Sequence, residues 1–259
     1  MLEAGLWAAA GQSALLVGAL LVARFPRLTE PRWLGLVMAF GAGALISAVT
    51  TDLVVPAYHE AGRAPAGMGL LVGSVGYYAL TQLLDRRAER EDPEEPVEEA
   101  ETSGGDEALP TGADATAARN LTVGMVLDGI PESIAVGLTL LGGASVSFAL
   151  VGAVFLSNLP EAIGVAAALL AGGMRLRSVL GRFALIVAVG FLAGAVGYAV
   201  LDSTKADAIA VIQSIAAGAM VVVVVNEMVP IAVRGAGRRA GLAAAAGFAV
   251  AAFLSTVST

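Results

Sequence analysis

The chain has 259 residues, of which 57% are hydrophobic and 14% charged, too apolar a balance for an ordinary soluble domain. It contains no cysteine, which excludes disulfides, thiolate metal sites and cysteine nucleophiles together. The formal net charge of −7 offers no basic field for nucleic acid, and no nucleic-acid partner is expected.

Continuous apolar runs recur at about 5–23, 33–56, 66–84, 118–140, 145–171, 178–200, 207–230 and 240–257. Each is long enough to cross about 30 Å of hydrocarbon as a helix. The runs do not alternate in polarity, which argues against a transmembrane barrel. The expected fold is all-α: a polytopic, multi-pass membrane protein of eight transmembrane helices in a lipid bilayer. Residues 1–84 hold helices 1–3, 85–117 form a loop, 118–172 hold helices 4 and 5, and 173–259 hold helices 6–8. The opening Met1-Leu2-Glu3 lacks the basic start of a cleavable signal peptide.

Arginines fix an orientation. Arg24, Arg27 and Arg32 lie between helices 1 and 2, and Arg86, Arg87, Arg90 and Arg119 between 3 and 4. Arg175, Arg177 and Arg182 lie between or just inside 5 and 6, and Arg234, Arg238 and Arg239 between 7 and 8. Only Arg63 and Lys205 fall on the other side. The positive-inside rule puts these four loops in the cytoplasm of a plasma (cytoplasmic) membrane protein, with both termini outside. The 85–117 loop carries twelve acids and three arginines with Pro93, Pro96 and Pro110, and is expected to be disordered. A solvated linker is the simplest reading; a cation-collecting or regulatory role, or adaptation to a salty cytosol, are the others.

Two segments repeat inside helices 4 and 5: Asp128-Gly-Ile-Pro-Glu-Ser-Ile-Ala-Val-Gly137 and Ser157-Asn-Leu-Pro-Glu-Ala-Ile-Gly-Val-Ala166. Proline removes a helix hydrogen bond and frees the carbonyl four residues back, at Leu127 and Leu156. An ionised carboxylate at mid-membrane costs about 2.5–3.5 kcal/mol on insertion scales. A second pair relates Gly43–Asp52 in helix 2 to Gly218–Glu227 in helix 7, each with an acid nine residues after the glycine and a proline, Pro56 or Pro230, soon after. With the orientation above, both pairs run in opposite directions. The chain then reads as a 3+2+3 inverted repeat, the arrangement of secondary transporters with sites near the midplane.

The embedded acids are Asp52, Asp128, Glu132, Glu161 and Glu227, and no basic residue lies deep enough to pair with them. Unpaired carboxylates in hydrocarbon must be protonated, face water or hold cations. Asp128 and Glu132 share one face of helix 4 at i and i+4, and Ser157 and Glu161 repeat this on helix 5. Facing each other, the two helices would surround one or two divalent ions with Asp128, Glu132, Ser157, Asn158, Glu161 and the freed carbonyls. Glu227 would lie nearer the cytoplasm, and Asp52 would meet cations as they come in from outside. No phosphate-loop motif is present, so flux would follow a gradient or couple to another ion. Protons are one candidate, because clustered carboxylates hold them more tightly.

On these residues the chain resembles the ZIP (Zrt/Irt-like) family of divalent metal transporters. That family carries His-Asn-x-Pro-Glu-Gly on helix 4, where this chain has Asp128-Gly129-Ile130-Pro131-Glu132-Ser133, and His-x-x-Pro-Glu on helix 5, matched by Ser157 to Glu161. Helix 7's Ala-Ala-Gly-Ala-Met, an acid and a proline match Ala216 to Pro230. The resemblance implies eight helices, both termini outside, a homodimer, no prosthetic group, and uptake of a divalent metal such as Zn²⁺, Mn²⁺ or Fe²⁺ into the cytosol. It also implies a binuclear site. Asp128, Glu132, Ser157 and Glu161 would surround one ion and Glu132, Asn158, Glu161 and Glu227 the other, with Gly129 matching a ligand that is absent. Asp128, Gly129 and Ser157 make this site poorer in nitrogen than the family's, which favours harder ions such as Mn²⁺, Mg²⁺ or Ca²⁺. The single histidine, His59, reads as a surface residue or as one that captures metal from outside. A metal-sensing or non-transporting relative is the alternative reading. An intramembrane hydrolase is a further one; it lacks the Gly-x-Gly-Asp pattern of intramembrane aspartyl proteases.

Overall fold

The computed structural model describes residues 1–91, 115–141, 146–201 and 206–257, with the side chains at 84, 85, 87–91, 115–124, 127, 128 and 257 outside that description. The rods, in chain order, are α1 (Leu2–Arg24) and α2 (Pro31–Glu60), α3 (Arg63–Glu91), α4 (Ala115–Leu138), α5 (Phe148–Ala171), α6 (Leu176–Leu201), α7 (Ala206–Ala236) and α8 (Arg239–Thr256). No strand occurs among the described residues. All of these rods except α3 and α4 are long and apolar enough to cross a membrane.

Both exceptions border residues outside the description. α3 continues past 84 to Glu91 because Ala, Arg and Glu sustain helix even where the apolar run has ended. Among the residues of α4 whose side chains are described, Gly129–Leu138 form one apolar stretch. The acidic segment expected to be disordered falls mostly at 92–114, outside the described residues. Pro31 opens α2, where its missing N–H costs no helix bond. Gly62 and Gly173 take positive φ, 83° and 85°, and so turn the chain sharply after α2 and α5.

Helix packing depends on glycines that let backbones touch. A Cβ on Gly43 of α2 would lie 1.9 Å from the Ala244 carbonyl oxygen of α8, and one on Gly247 of α8 would lie 1.9 Å from that of Phe40. The α3–α7 pair repeats this arrangement. A Cβ on Gly73 would lie 1.9 Å from the Ile215 oxygen, and one on Gly218 would lie 2.1 Å from that of Leu70. In all four cases the carbonyl belongs to the residue three positions before the facing glycine. Ser74 adds a hydrogen bond to the Gly218 oxygen at 3.1 Å. In lipid there is no hydrophobic drive for helices to associate, so close backbone approach and its dispersion contacts supply the attraction. Gly69, Gly73, Gly190 and Gly194 all meet neighbours within the chain at or below 2.9 Å in the same sense, so these small-residue pairs serve the subunit's own packing.

The rods α2 and α7 share a second feature. Each is α-helical, widens into one π-helical turn, and resumes as α-helix. The wide turns are Thr50–Val54, holding Asp52, and Val224–Met228, holding Glu227. In both, the residue closing the turn bonds five residues back, Val55 N–H to the Thr50 oxygen and Val229 N–H to the Val224 oxygen. Pro56 and Pro230 follow immediately. A proline cannot donate to the carbonyl four residues back and its ring pushes that carbonyl away, so the preceding turn opens. Single π turns of this kind occur often at functional sites.

Gly218→Leu is expected to lower stability in detergent by at least about 1–3 kcal/mol, because the new side chain meets backbone rather than a movable side chain. Gly76, with nothing within 4 Å of its Cβ position, should tolerate alanine with an unchanged thermal midpoint.

Candidate metal site between two proline-bearing helices

Pro131 and Pro160 sit inside α4 and α5 without breaking either helix. Each places a glutamate directly after the weakened turn. Glu132 is 3% exposed, Ser157 4% and Asn158 3%, so the three polar side chains meet away from solvent. Asn158 Nδ2 donates to Glu132 Oε2 at 2.6 Å, and Ser157 Oγ lies 3.2 Å from Glu132 Oε1. The sequence expectation that α4 and α5 face each other through these residues therefore has a definite geometry.

Proton counting separates the two contacts. Asn158 Nδ2 has two hydrogens and serves both Glu132 and the Val154 carbonyl, 2.8 Å away. Ser157 Oγ has one hydrogen and two acceptors in reach, Glu132 and the same Val154 carbonyl at 2.9 Å. When Ser157 gives its proton to Val154, its lone pairs are left to face the Glu132 carboxylate, an arrangement that suits a cation between them. Asn158 is the fixed strut and Ser157 the adjustable one.

The remaining expected ligands lie around this pair. Glu161 is half-buried on α5, one turn beyond Ser157 and directly after Pro160. Glu227 is exposed on the wide turn of α7. The backbone of Asp128 lies in α4, one turn before Glu132, and its side chain is outside the described residues. Among the described residues, no three acidic or histidine side chains come together closely enough to hold an ion. The Leu156 carbonyl freed by Pro160 lies against α2, where a Cβ on Gly41 would come within 2.6 Å of it.

Asp52 makes a separate polar contact. Its Oδ1 accepts from Thr51 at 3.0 Å, and its Oδ2 accepts a short hydrogen bond from Ser147. Ser147 is the N-cap of α5 and accepts from the Leu150 N–H at 3.0 Å, so Asp52 ties the wide turn of α2 to the start of the site helix. Sequence reasoning did not single out Ser147. Its signal was an N-cap serine before an apolar run, which identifies a helix start but not a long-range partner. Gln12 was also passed over, although a carboxamide inside an apolar span is itself a signal. His59 is exposed at the end of α2.

An all-helical bundle with apolar rods and a buried carboxylate held between two proline-bearing helices defines a multi-pass membrane protein of the ion-handling class. A family model described as "ZIP Zinc transporter" matches residues 4–255. The chain belongs to the ZIP zinc transporter family, which transports divalent metal ions and is not a family of enzymes. Comparison with curated proteins finds no match.

Asn158→Ala is expected to destabilise the protein by about 1.5–3 kcal/mol, the usual range for a hydrogen bond to a charged group. Glu132→Gln in the same background should recover part of that loss. A double-mutant cycle in denaturant, read against each single variant, measures the coupling; additive effects would show that the two residues do not depend on each other.

Proposed function

We propose that the chain carries divalent cations into the cytosol through a site between α4 and α5. Asp128, Glu132, Ser157, Asn158 and Glu161 hold the cargo there, Glu227 reaches it from α7, and Asp52 meets cations as they enter. The observation that carries this reading is the Glu132 carboxylate, buried and held by Ser157 and Asn158 across the two helices. Burying a carboxylate in an apolar bundle creates a demand for positive charge nearby. A divalent cation meets it, and the adjacent side chains supply further oxygen ligands at little cost.

The oxygen-rich ligand set biases the site toward Mn²⁺ and other hard ions relative to the histidine-bearing members of the family. Zinc remains a cargo that carboxylates bind. Asp128 and Glu161 each lie one helical turn from a residue already engaged, which suits them as further ligands of an ion beside Glu132.

Eight membrane crossings in a 3+2+3 inverted arrangement are the architecture we infer around this site. Its support is the matched construction of the halves. Gly43 and Gly218 occupy equivalent places in the two glycine–carbonyl contacts, and Asp52 and Glu227 occupy the two wide turns. Orientation follows from the arginines at the ends of α1, α2, α5, α6, α7 and α8. Arg24 and Arg32 lie over the rings of Phe25 and Trp33, at 5.0 and 5.7 Å, the cation–aromatic pairing that suits a membrane interface.

Purified protein in proteoliposomes should take up Mn²⁺ or Zn²⁺ down a gradient. Glu132→Ala and Glu161→Ala should each abolish uptake while leaving a folded protein. Near-normal uptake in both would sink the central-site reading, and no uptake by the parent chain would favour a sensor. Because the chain has no cysteine, orientation is directly testable with single replacements. Thr259→Cys should react with an impermeant maleimide on intact cells, and Ser178→Cys only after permeabilisation; the reverse pattern would invert the topology.

A further inference from the structure

Gln12 lies in the apolar rod α1, and its side chain is fully buried. A carboxamide brings two N–H donors and an oxygen acceptor, all of which need partners away from water. Nε2 donates to the Gly129 carbonyl of α4 at 3.1 Å. Oε1 has no hydrogen-bond partner among the described residues.

Glycines on two other helices make this placement. A Cβ on Gly129 would lie 2.8 Å from Nε2 and 3.2 Å from Oε1, so the carboxamide fills the space that a side chain at 129 would take. A Cβ on Gly190 of α6 would lie 2.9 Å from Gln12 Cγ and 2.8 Å from Ser133 Oγ. Ser133 Oγ is itself buried and has no hydrogen-bond partner among the described residues. Two buried, unpartnered oxygens therefore share one seam between α1, α4 and α6.

The seam lies beside the candidate metal site. Gly129 and Glu132 are i, i+3 neighbours on α4, about 5–6 Å apart at the Cβ positions. Helix side chains lean toward the N-terminus, which brings the Glu132 carboxylate toward the level of Gly129. An amide oxygen is a hard, neutral ligand for a divalent ion.

We propose that Gln12 Oε1 is a ligand of the cation held at Glu132, and that Gly129 and Gly190 are glycines so that α1 can deliver it. The proposal rests on the reading that the α4–α5 site carries divalent metal. It makes α1 a contributor to the site beside α4, α5 and α7, and Gln12 a determinant of selectivity, since a neutral oxygen favours hard ions without adding charge.

The test is the ratio of Zn²⁺ to Mn²⁺ uptake, as kcat/KM, by the full chain in proteoliposomes. Gln12→His places a nitrogen ligand there and should raise the Zn²⁺/Mn²⁺ ratio about tenfold. Gln12→Met keeps the length of the side chain but offers only a soft sulfur, and should raise the Cd²⁺/Mn²⁺ ratio. Gly129→Ala displaces only the flexible end of Gln12 and should raise the KM for Mn²⁺ several-fold with the thermal midpoint unchanged. A packing role, or an ordered water on Oε1, would scale all metals alike; unchanged ratios in folded variants overturn the proposal. Glu132→Ala run in parallel separates the two levels. Uptake lost there but unchanged ratios in the Gln12 variants remove the ligand assignment alone, whereas uptake surviving Glu132→Ala removes the site and this proposal with it.

Discussion

A carboxylate buried in an apolar bundle has to be answered by its neighbours, and Glu132 sets the terms for the helices around it. Asn158 must come within 2.6 Å, so α5 has to approach α4 closely over the turns that Pro131 and Pro160 weaken. That approach in turn needs thin neighbours. Gly41 lets α2 sit against the Leu156 carbonyl, and Gly18 lets α1 sit against Ala162, where a Cβ would come within 2.6 Å. Part of the chain's abundance of glycine, 32 residues, serves such backbone contacts between helices. Larger side chains would hold the helices apart and leave Glu132 without donors.

Much of this was legible in the sequence because membrane helices announce themselves. The apolar runs are helical where described, six of them long and apolar enough to cross a membrane, and Glu132 of one Pro-Glu segment meets Ser157 and Asn158 of the other. The likeness of Gly43–Asp52 to Gly218–Glu227 was visible as letters. What those letters do was not, because contact between glycine and a facing carbonyl depends on the three-dimensional position of another helix. Gln12 shows the same limit. Its polarity is plain in the sequence, but its pairing with Gly129, 117 residues away, comes from the way three helices converge. The Asp52–Ser147 bond, spanning 95 residues, is hidden for the same reason.

The site's chemistry is built from shared hydrogen bonds rather than from strong fixed ones. Val154 offers one carbonyl to both Ser157 and Asn158, so a change at one of them is felt by the other through the same oxygen. Such a network can exchange one arrangement of protons for another without moving the backbone, which matters for a protein whose cargo must bind and leave.

The π-helical turns in α2 and α7 have a consequence for side-chain phase. Each wide turn carries a residue beyond what the α pitch needs. The rod past it is rotated by about 100° and displaced by about 1.5 Å relative to an uninterrupted helix. Facing directions counted at 3.6 residues per turn from the glycine contacts at Gly43 or Gly218 are therefore out of step beyond Val54 and Met228. The last turns of these rods, with His59 on one and Arg234 on the other, answer to a different angular origin from the residues that dock the helices. One rod can thus present a packing face along most of its length and a differently aimed face at its end.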